Sequence, residues 1–453
     1  MIALNRARPI DRLPPGPEVP QRIQGREAVT RPVAALEALR RAYGPIFTVN
    51  LPGMSEPLVV LGASELVKPF MEAEGDQVVR AQSYSWFFKL NPAPLLITMQ
   101  GERHTRLRRV VTAMLNAAAA EIGRCGIEDI VDRTVEDLSN GEGVVDLRKV
   151  AELVMRRISA WLFFGPERID EMAHRYALVN PLLSPGRAPN GALQSCVGIF
   201  DGLRDGWHTL KIVRTMHQTL GDWPQEEHMT PMGQAYLQRA EEVDREYFQK
   251  HPVKAIELGG LLSAVYAGGT SSLEHQLYAW SKESAARDSL QDAFESGCET
   301  TMRSSIDAFA REVRRLWPDT VGYGRITRAP LQVGDWTLPA GVRVVAASVL
   351  VQRDPKVFEQ PTAFRPERFI DRTYLPHEYF PFGAGSFRCV GRTLANALAD
   401  GILRALVNRY SVTPLSGHCN RITQATILTR HSRPILAELR RETASLPLAR
   451  ASA

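Results

Sequence analysis

The sequence predicts a mainly α-helical fold with a few small β-sheets. Apolar residues recur three or four positions apart over residues 125–165 and 392–410, a spacing that places them on one helical face. Residues 254–282 have the length and composition of one long helix. Runs typical of β-strands are short by comparison and fall at residues 47–50, 57–61 and 342–345.

The composition is that of a globular protein with a large core. Of its 453 residues, 44% are hydrophobic and 23% are charged, and no linker or internal repeat divides the chain. Length alone would suggest two or three domains. The net charge of +5 is spread over the whole length, which argues against a nucleic-acid-binding protein and predicts a mostly solvated basic surface.

Cysteine usage and the N-terminus predict the compartment. The cysteines are odd in number and widely separated, and they form no Cys-x-x-Cys pair: Cys125, Cys196, Cys298, Cys389 and Cys419. This pattern argues against a disulfide framework or a zinc site and favours a reducing compartment. Residues 1–20 contain no apolar run long enough for a signal peptide or a membrane anchor. We therefore expect a soluble, cytoplasmic protein.

Several segments are predicted to lie outside the regular core. Residues 1–20 are rich in arginine and proline and predict an extended tail. Residues 83–99 are aromatic and then interrupted by prolines, which predicts an irregular loop. Residues 180–250 are more polar, and a helix over 233–250 is expected to cover the surface. Residues 423–439 predict a terminal hairpin that turns around Arg433 and Pro434.

A basic helix begins at Gly101. His104 and Arg108 are four residues apart, so both lie on one face of this helix. An imidazole and a guanidinium at this spacing can bind two carboxylates of one ligand. A solvated helix face is the alternative interpretation for such a pair.

The long helix over residues 254–282 contains four interior glycines. Each costs about 1 kcal/mol relative to alanine. A glycine pair such as Gly268 and Gly269 therefore requires a reason, either the close approach of a flat cofactor or a break in the helix.

The segment Phe382–Gly391, which we name the cysteine loop, holds one cysteine among three glycines. It directly precedes the helix predicted over 392–410, whose N-terminus supplies free N–H groups and a partial positive charge. Both features favour a thiolate at Cys389, and a thiolate held in this way suits an axial ligand to haem iron. The alternative is a buried structural cysteine beside a turn.

The cysteine loop resembles the signature of the cytochrome P-450 superfamily, the haem-thiolate monooxygenases. That signature is Phe-Gly-x-Gly-x-Arg/His-x-Cys-x-Gly, and the matching residues are Phe382, Gly383, Gly385, Cys389 and Gly391. One position departs from it, because Phe387 stands where the family has a basic residue. Whether the following Arg388 replaces that base is left open.

The resemblance implies a fold and a cofactor. It implies one domain over residues 1–453, in which haem b (iron protoporphyrin IX) lies between the long distal helix and the cysteine loop. Cys389 would bind the iron, and Phe382, Gly383 and Gly268 would contact the haem. His104, Arg108 and Arg325 would bind the propionates, with Arg388 as a further candidate.

The distal helix resembles the oxygen-activating motif of the family only in part. Residues 267–272 read Ala-Gly-Gly-Thr-Ser-Ser, where the family has Ala/Gly-Gly-x-Asp/Glu-Thr-Thr. One alignment puts Thr270 in the acid position and Ser271 in the alcohol position, and a shift by one residue puts Thr270 in the alcohol position. We prefer the first, but in both the acid is missing. Protons would then come through water, a substrate group or Glu274.

Further motifs of the resemblance imply scaffold and pocket. Glu312 and Arg315 match a Glu-x-x-Arg pair, and Arg368 completes a triad with a structural role. Without the resemblance, a pair three residues apart is ordinary and would contribute about 0–1 kcal/mol. The segments 83–99 and 319–324 would face the substrate.

The resemblance also implies a reaction and partners. The expected enzyme hydroxylates or epoxidises an apolar or carrier-bound small molecule in a biosynthetic pathway of secondary metabolism. Electrons would come from NAD(P)H through a reductase and a ferredoxin or flavodoxin. This partner would dock on the face that carries Arg106, Arg109, Arg392 and Arg404. The alternatives are a peroxide-driven enzyme, an isomerase or dehydratase, and a haem-binding sensor or redox-inert partner protein.

Overall fold

The computed structural model describes residues 13–51, 57–73, 75, 77–80, 96, 101–122, 126–139, 143–179, 230, 234, 254–415, 422–424 and 428–442. The α-helices in these ranges are numbered in chain order: α1 Gln21–Thr30, α2 Pro32–Tyr43, α3 Ser64–Glu72, α4 Gly101–Ile122, α5 Ile127–Leu138, α6 Leu147–Phe164, α7 Ile169–Val179, α8 Lys254–Lys282, α9 Ser284–Glu295, α10 Glu299–Leu316, α11 Ser348–Val351, α12 Arg368–Asp371 and α13 Arg392–Arg409. Short 3-10 turns occupy Pro166–Arg168 and Gly385–Phe387. The predicted mainly helical fold is thereby confirmed.

The strands are short and form separate small sheets. They are β1 Ile46–Val49, β2 Leu58–Leu61, β3 Val78–Arg80, β4 Val144–Asp146, β5 Tyr323–Thr327, β6 Leu331–Val333, β7 Trp336–Leu338, β8 Arg343–Ala346, β9 Tyr410–Pro414, β10 Ile422–Gln424, β11 Thr429–His431 and β12 Leu436–Arg441. A five-stranded sheet has the order β1-β2-β8-β5-β3, and only its β2–β8 pair is parallel. A three-stranded sheet has the order β4-β12-β9, and two hairpins, β6-β7 and β10-β11, complete the set.

The main core lies between the helices. Helix α13 contributes buried residues that recur four positions apart, as predicted: Leu394, Leu398, Ile402 and Leu406. They pack in one cluster with apolar side chains of α4, α5, α6, α8 and α10. A second cluster lies under the five-stranded sheet and includes residues of β6 and β7. The helical core therefore fixes α8 and α13, the two helices on which the candidate site depends.

Helix α8 runs from Lys254 to Lys282 without a break, so its glycines do not end it. The two central glycines have different surroundings. A Cβ atom on Gly269 would lie 2.2 Å from the Cε atom of Met155, whereas a Cβ on Gly268 would have no neighbour within 4 Å. Gly269 therefore allows α8 to approach α6 closely, while Gly268 borders open space.

Two local predictions are corrected by the structure. The periodic stretch 125–165 is two helices, α5 and α6, separated by the three-residue strand β4. The strand was missed because its residues Val144 and Val145 also fit the helical apolar pattern. The predicted hairpin around Arg433 and Pro434 is wrong, because β11 pairs with β10 while β12 pairs with β4 and β9.

The described part of the N-terminal tail is extended but attached. Leu13 is buried, and both the backbone N–H and the hydroxyl of Thr48 donate to carbonyls of the segment, to Pro15 at 2.9 Å and Pro14 at 2.6 Å. Residues 13–16 therefore lie along β1. The predicted loop 83–99, apart from residue 96, and the predicted helix 233–250, apart from residue 234, lie outside the described residues.

Candidate active site

The cysteine loop is held in shape by backbone conformations that glycine allows. Gly383 and Gly385 have φ angles of 71° and 68°, in the left-handed region. A Cβ atom on Gly383 would also lie 3.2 Å from ring carbons of Tyr323. The backbone N–H of Cys389 donates to the carbonyl of Phe382 at 2.8 Å, so the loop closes on itself directly before α13.

The Cys389 thiol lies deep in the molecule and yet is accessible. The residue is exposed, while burial among surrounding protein atoms raises the pKa of its thiol. A side chain that borders an internal space can be accessible and yet surrounded by protein atoms. The Gly391 N–H and the Arg108 guanidinium lower the pKa, as expected at a helix start, but burial outweighs them. A coordinated metal ion would deprotonate the thiol outright.

Two basic residues of α4 extend to the cysteine loop. His104 is buried, and its ring centroid lies 4.6 Å from that of Phe387. Arg108, one turn further along α4, donates a hydrogen bond to the backbone carbonyl of Arg388. The pair predicted from its spacing thus lies on one face and contacts the residues that flank Cys389.

Phe387 occupies the centre of this basic group. The guanidinium of Arg325, a buried residue on β5, lies 5.1 Å from the Phe387 ring centroid. Phe387 therefore packs between His104 and Arg325. An aromatic ring attracts a guanidinium placed over its face. The structure thus places a ring among the predicted propionate-binding residues where the family has a base.

A buried arginine links the cysteine loop to α10. The guanidinium of Arg314 lies 5.0 Å from the ring centroid of Phe382, and Arg314 is 2% exposed. It also donates to the carbonyl of Ala395 on α13, at 3.4 Å. This arginine was not among the residues predicted from sequence, because the resemblance marks only its neighbour Arg315.

The predicted hydroxyls of α8 are both buried but differ in their contacts. The Thr270 hydroxyl oxygen has no hydrogen-bond partner among the described residues. The Ser271 hydroxyl donates to the carbonyl of Thr429, on β11, at 2.8 Å. By helical period, Ser271 lies three residues after Gly268 and hence near the open face, whereas Thr270 points nearly the opposite way.

Glu274 is held as part of a buried ion pair. Its carboxylate pairs with the Arg430 guanidinium and accepts the backbone N–H of His431 at 2.7 Å. Burial raises the pKa of Glu274, and Arg430 opposes that shift. Because both carboxylate oxygens are engaged, Glu274 is poorly suited to the proton-donor role considered for it.

Two buried histidines lie next to this pair, and no motif or spacing in the sequence pointed to them. His275 Nδ1 and His431 Nε2 are 3.0 Å apart, and His275 Nε2 is 2.9 Å from the hydroxyl of Thr429. Burial lowers the pKa of His275 to about 3 and lowers that of His431 well below its usual value. Both rings are therefore neutral at physiological pH.

Asp319 is a further residue that sequence reasoning missed. It follows α10, and its backbone carbonyl accepts the N–H of Thr429 at 2.8 Å. Burial raises the pKa of its carboxyl to about 6, while Arg314 and a hydrogen bond from Ser271 lower it. Only the prediction that residues 319–324 face the substrate could have directed attention to it.

The predicted scaffold triad is confirmed. Arg315 contacts the carboxylate of Glu312 at 2.7 and 2.8 Å, and Arg368 contacts it at 3.2 Å, all three being buried. Gln352 then connects this triad region to the cysteine loop, since its side chain accepts the backbone N–H of Phe380 at 3.1 Å.

Comparison with known proteins places the chain in a family. A model of the family described as Cytochrome P450 matches residues 14–179 and 301–439, more than half of the chain. The chain belongs to the cytochrome P450 family. It is accordingly an oxidoreductase with a haem cofactor, of the haem-thiolate monooxygenase kind. Helix α8 falls between the two matched segments, so the family match does not extend to the distal P450 motif.

Curated relatives and a solved structure agree with this family. The chain is 23% identical to cytochrome P450 138 of Mycobacterium tuberculosis, over 90% of this chain and 91% of that protein. It is 22% identical to cytochrome P450 135B1 of the same species, over 89% and 87%. The structure described as retinoic acid bound cyanobacterial CYP120A1 has a TM-score of 0.71 at 18% identity, over 89% and 93% of the two chains.

The residues of the P450 site fit a haem. The Cys389 thiol borders open space, and Gly268 on α8 leaves room for a neighbour. His104, Arg108 and Arg325 supply positive or protonatable groups around the cysteine loop. A cavity with a soft sulfur ligand and basic groups suits a planar iron cofactor with carboxylate side chains.

Within the described residues, no single helix of this P450 has both the length and the apolar character of a membrane span. Residues 104–122 and 127–138 pass the same test only as a pair, which is bent by 77°.

Proposed function

We propose that this P450 uses haem b, bound through Cys389, to insert one oxygen atom into an apolar or carrier-bound small molecule. The observation that carries the proposal is the convergence of His104 and Arg108 on α4 with Arg325 on β5 around Phe387, two residues before Cys389. Three basic residues from two separate elements meet beside one accessible sulfur. That arrangement suits an anionic, iron-containing cofactor.

The roles of the individual residues follow from their positions. Cys389 would supply the sulfur ligand, and His104, Arg108 and Arg325 would bind the propionates, with Arg388 as a further candidate. The ring of Phe387 would orient His104 and Arg325 in place of the usual base. Phe382 and Gly383 would lie on the cysteine side of the haem, and Gly268 on the distal side.

The bound haem would supply the capacity to reduce and cleave dioxygen. The protein's own contribution on the distal side is a pair of hydroxyls, Thr270 and Ser271. We favour the alignment that puts Ser271 in the alcohol position, because it lies nearer than Thr270 to the face of α8 that Gly268 leaves open. A hydroxyl at that position can hold an ordered water and pass protons to the reacting oxygen.

We also propose how electrons reach the haem. Electrons would come from NAD(P)H through a reductase and a ferredoxin or flavodoxin docked near the cysteine loop. Of the basic residues predicted there, Arg109 and Arg392 are exposed. Arg106 pairs with Glu102, and Arg404 pairs with Glu299. We therefore assign the docking role to Arg109 and Arg392 first, since charges already paired attract a partner less.

The domain organisation, cellular location and biological role are inferred from the same family. We infer one haem-binding domain over residues 1–453, a cytoplasmic location, no nucleic-acid partner and a biosynthetic role in secondary metabolism. These expectations rest on the composition and on the resemblance rather than on the geometry of the site.

A second candidate function is a haem-thiolate reaction that needs no reductase. The enzyme would then use peroxide, or would rearrange a substrate that is already oxygenated, as an isomerase or dehydratase does. The observation that favours it is the absence of an acid in residues 267–272 of α8. Without a nearby acid, proton delivery to dioxygen would need another source.

Turnover with different oxidants tests the proposal. The haem-loaded protein would be given a panel of apolar compounds with NADPH, a surrogate ferredoxin and its reductase, under isotopically labelled dioxygen. Retinoic acid belongs on the panel because it is the ligand of the solved relative. We expect one labelled oxygen atom in the product. Product formed only with peroxide, or product without label, would favour the second candidate.

A matched cysteine variant serves as the control for this assay. Cys298 is also exposed but lies at the start of α10, away from the cysteine loop. Cys298→Ala should retain labelled product formation, whereas Cys389→Ala should lose it.

A further inference from the structure

We propose that Asp319 is the acid of the distal site, which supplies protons through the Ser271 hydroxyl in place of the acid that α8 lacks. This inference rests on the proposed monooxygenase function and assigns its proton source. The residue comes from the segment after α10, so the acid and the alcohol would belong to different elements rather than to adjacent positions of one helix.

The first argument is that Asp319 and Ser271 are fixed to the same residue of β11. The N–H of Thr429 donates to the Asp319 carbonyl at 2.8 Å, and the Thr429 carbonyl accepts the Ser271 hydroxyl at 2.8 Å. The Thr429 hydroxyl in turn donates to the carbonyl of Pro318 at 2.7 Å. These contacts bring the segment after α10 against the centre of α8.

The second argument is that one oxygen atom of the Asp319 carboxyl is still able to accept a hydrogen bond. Its Oδ1 atom is buried and has no hydrogen-bond partner within the described part of the chain. Ser271 has one hydroxyl proton and two acceptors in reach, the Thr429 carbonyl and the Asp319 carboxylate. A hydroxyl between two acceptors can turn from one to the other, which is what proton transfer along a chain requires.

The third argument concerns the charges around Asp319. Arg314 on α10 is a cation that acts on the Asp319 carboxyl, and that carboxyl also interacts electrostatically with Cys389 in the cysteine loop. Burial raises the pKa of Asp319 to about 6 despite Arg314 and Ser271, so the carboxyl exchanges its proton close to neutral pH. The residue is half-buried, so solvent can restore that proton.

The other titratable groups near Ser271 are less suited to this role. Glu274 on α8 is engaged by Arg430 and by a backbone N–H of β11. His275 on α8 and His431 on β11 hydrogen bond to each other and are neutral, since burial lowers the pKa of both. Among these described groups, Asp319 is the one that combines a free oxygen atom with an exchangeable proton.

The step balances within the monooxygenase reaction. The substrate and dioxygen take up two electrons from the redox partner and two protons, and they give the hydroxylated product and water. For each proton, an O–H bond of the Asp319 carboxyl breaks as the Ser271 oxygen accepts that proton. Ser271 releases its own proton towards the reacting oxygen. The Asp319 carboxylate then takes a proton from solvent.

Infrared spectroscopy tests the acid directly, independently of turnover. In wild-type protein, with and without haem, a carboxyl band should titrate with a midpoint near pH 6. It should be absent in Asp319→Asn and present in the control Asp354→Asn, which replaces a buried aspartate whose carboxylate accepts the N–H of Lys356 at 3.0 Å. A wild-type spectrum without that band, or a band that survives in Asp319→Asn, would overturn the proposal.

Turnover then tests the route. With reductase, Asp319→Asn should form product about 100-fold more slowly, the scale of general acid catalysis, and should release more of the consumed reducing equivalents as hydrogen peroxide. With added peroxide, which brings its own protons, the loss should be much smaller. Equal losses with both oxidants, or no loss with either, would contradict the proton-supply role.

Ser271→Ala provides a second variant. If Asp319 acts through Ser271, the double variant should lose no more activity than the more impaired single variant. Losses that multiply would contradict the shared route. If no variant and no wild-type sample turns over with reductase, the proposed function fails, while the infrared band still decides whether Asp319 is the titrating acid.

Discussion

The two sides of the site are held by different kinds of interaction. On the cysteine side, a buried ionic triad of Glu312, Arg315 and Arg368 stabilises the segments that support the cysteine loop. On the distal side, a buried ion pair of Glu274 and Arg430 also joins α8 to β11, but the Ser271 hydroxyl and the His275 ring are each held to Thr429 by a single hydrogen bond. The residues that support the sulfur are thus fixed by charge, while the hydroxyl of the distal side depends on a weaker polar contact that can rearrange.

The cysteine side is also more similar to the P450 family than helix α8 is. The triad and the cysteine loop lie in the segment 301–439 that matches the P450 family model, and apart from Phe387 their motif residues follow those of the family. Helix α8 lies outside the matched segments, and its motif lacks the acid. The cysteine side of the site therefore lies in a segment shared with the family, whereas residues 267–272 of α8 lie outside the matched segments and depart from the family motif.

Removing one member of the triad should cause the largest loss of folding stability. Arg315 has no exposed side-chain surface, so Arg315→Ala would leave the Glu312 carboxylate buried without its main partner. Breaking such a buried pair costs about 3–5 kcal/mol. Urea denaturation should therefore show a much lower midpoint, or no folded protein. The exposed pair of Arg303 and Glu299 provides the control, because Arg303→Ala should cost only about 0–1 kcal/mol.

If Arg315→Ala were as stable as Arg303→Ala, the cysteine side would not be the strongly fixed one. The contrast between the two sides would then have to be withdrawn.

Substitutions at the two central glycines of α8, Gly268 and Gly269, form a matched pair. Their effects on folding stability should be of intermediate size. Gly269→Ala would bring a Cβ atom to 2.2 Å from Met155, so the flexible methionine end must move. Overpacking of this kind costs about 1–3 kcal/mol. Gly268→Ala meets nothing within 4 Å and should stabilise the helix by up to about 1 kcal/mol. Denaturation midpoints of the haem-free proteins measure both effects.

Haem titration of the same two variants sharpens the result. Gly268→Ala should weaken haem binding while leaving the haem-free protein stable, because its methyl group enters the open space beside α8. Equal haem affinity in wild type and Gly268→Ala would show that this face of the helix does not border the haem.

The pH dependence of stability should show a smaller effect from the distal side. Because the pKa of Asp319 is raised from 3.8 to about 6, the folded protein binds this proton more tightly than the unfolded chain does. The stabilisation is complete below pH 3.8 and is lost as the pH rises through about 6. Allowing for partial solvent exposure, we expect a loss of about 2 kcal/mol.

Asp319→Asn should remove that loss. The free energy of unfolding of wild type should fall relative to the variant as the pH rises from about 4 to about 7.5. A constant difference between the two proteins over this range would mean that Asp319 has an ordinary pKa, and that burial on the distal side is weaker than described.

The parts predictable from sequence were those set by local pattern or by motifs. Helix α13 followed from leucine and isoleucine residues four positions apart, and the shared face of His104 and Arg108 followed from their spacing. The triad followed from three motif residues. The length of α8 was also predicted, and the expected spatial reason for a glycine in its centre is found at Gly269, which packs against Met155 of α6.

The parts not predictable were those set by contacts between distant segments. Asp319, His275 and Thr429 meet although 154 residues separate His275 from Thr429, and no spacing rule connects them. The terminal hairpin was misplaced because β12 finds partners in β4 and β9, which lie far away in the chain. From the sequence, Phe387 is known only as the residue that stands where the family has a base. Only the structure shows that its ring packs against His104 and Arg325.

The most direct test of the central claim is the spectrum of the reduced, carbon monoxide-bound protein. If Cys389 supplies a thiolate to haem iron, wild type and Cys298→Ala should show the strongly red-shifted band of a thiolate-ligated haem, and Cys389→Ala should lack it. A red-shifted band that persists in Cys389→Ala would contradict the assignment of Cys389 as the haem ligand.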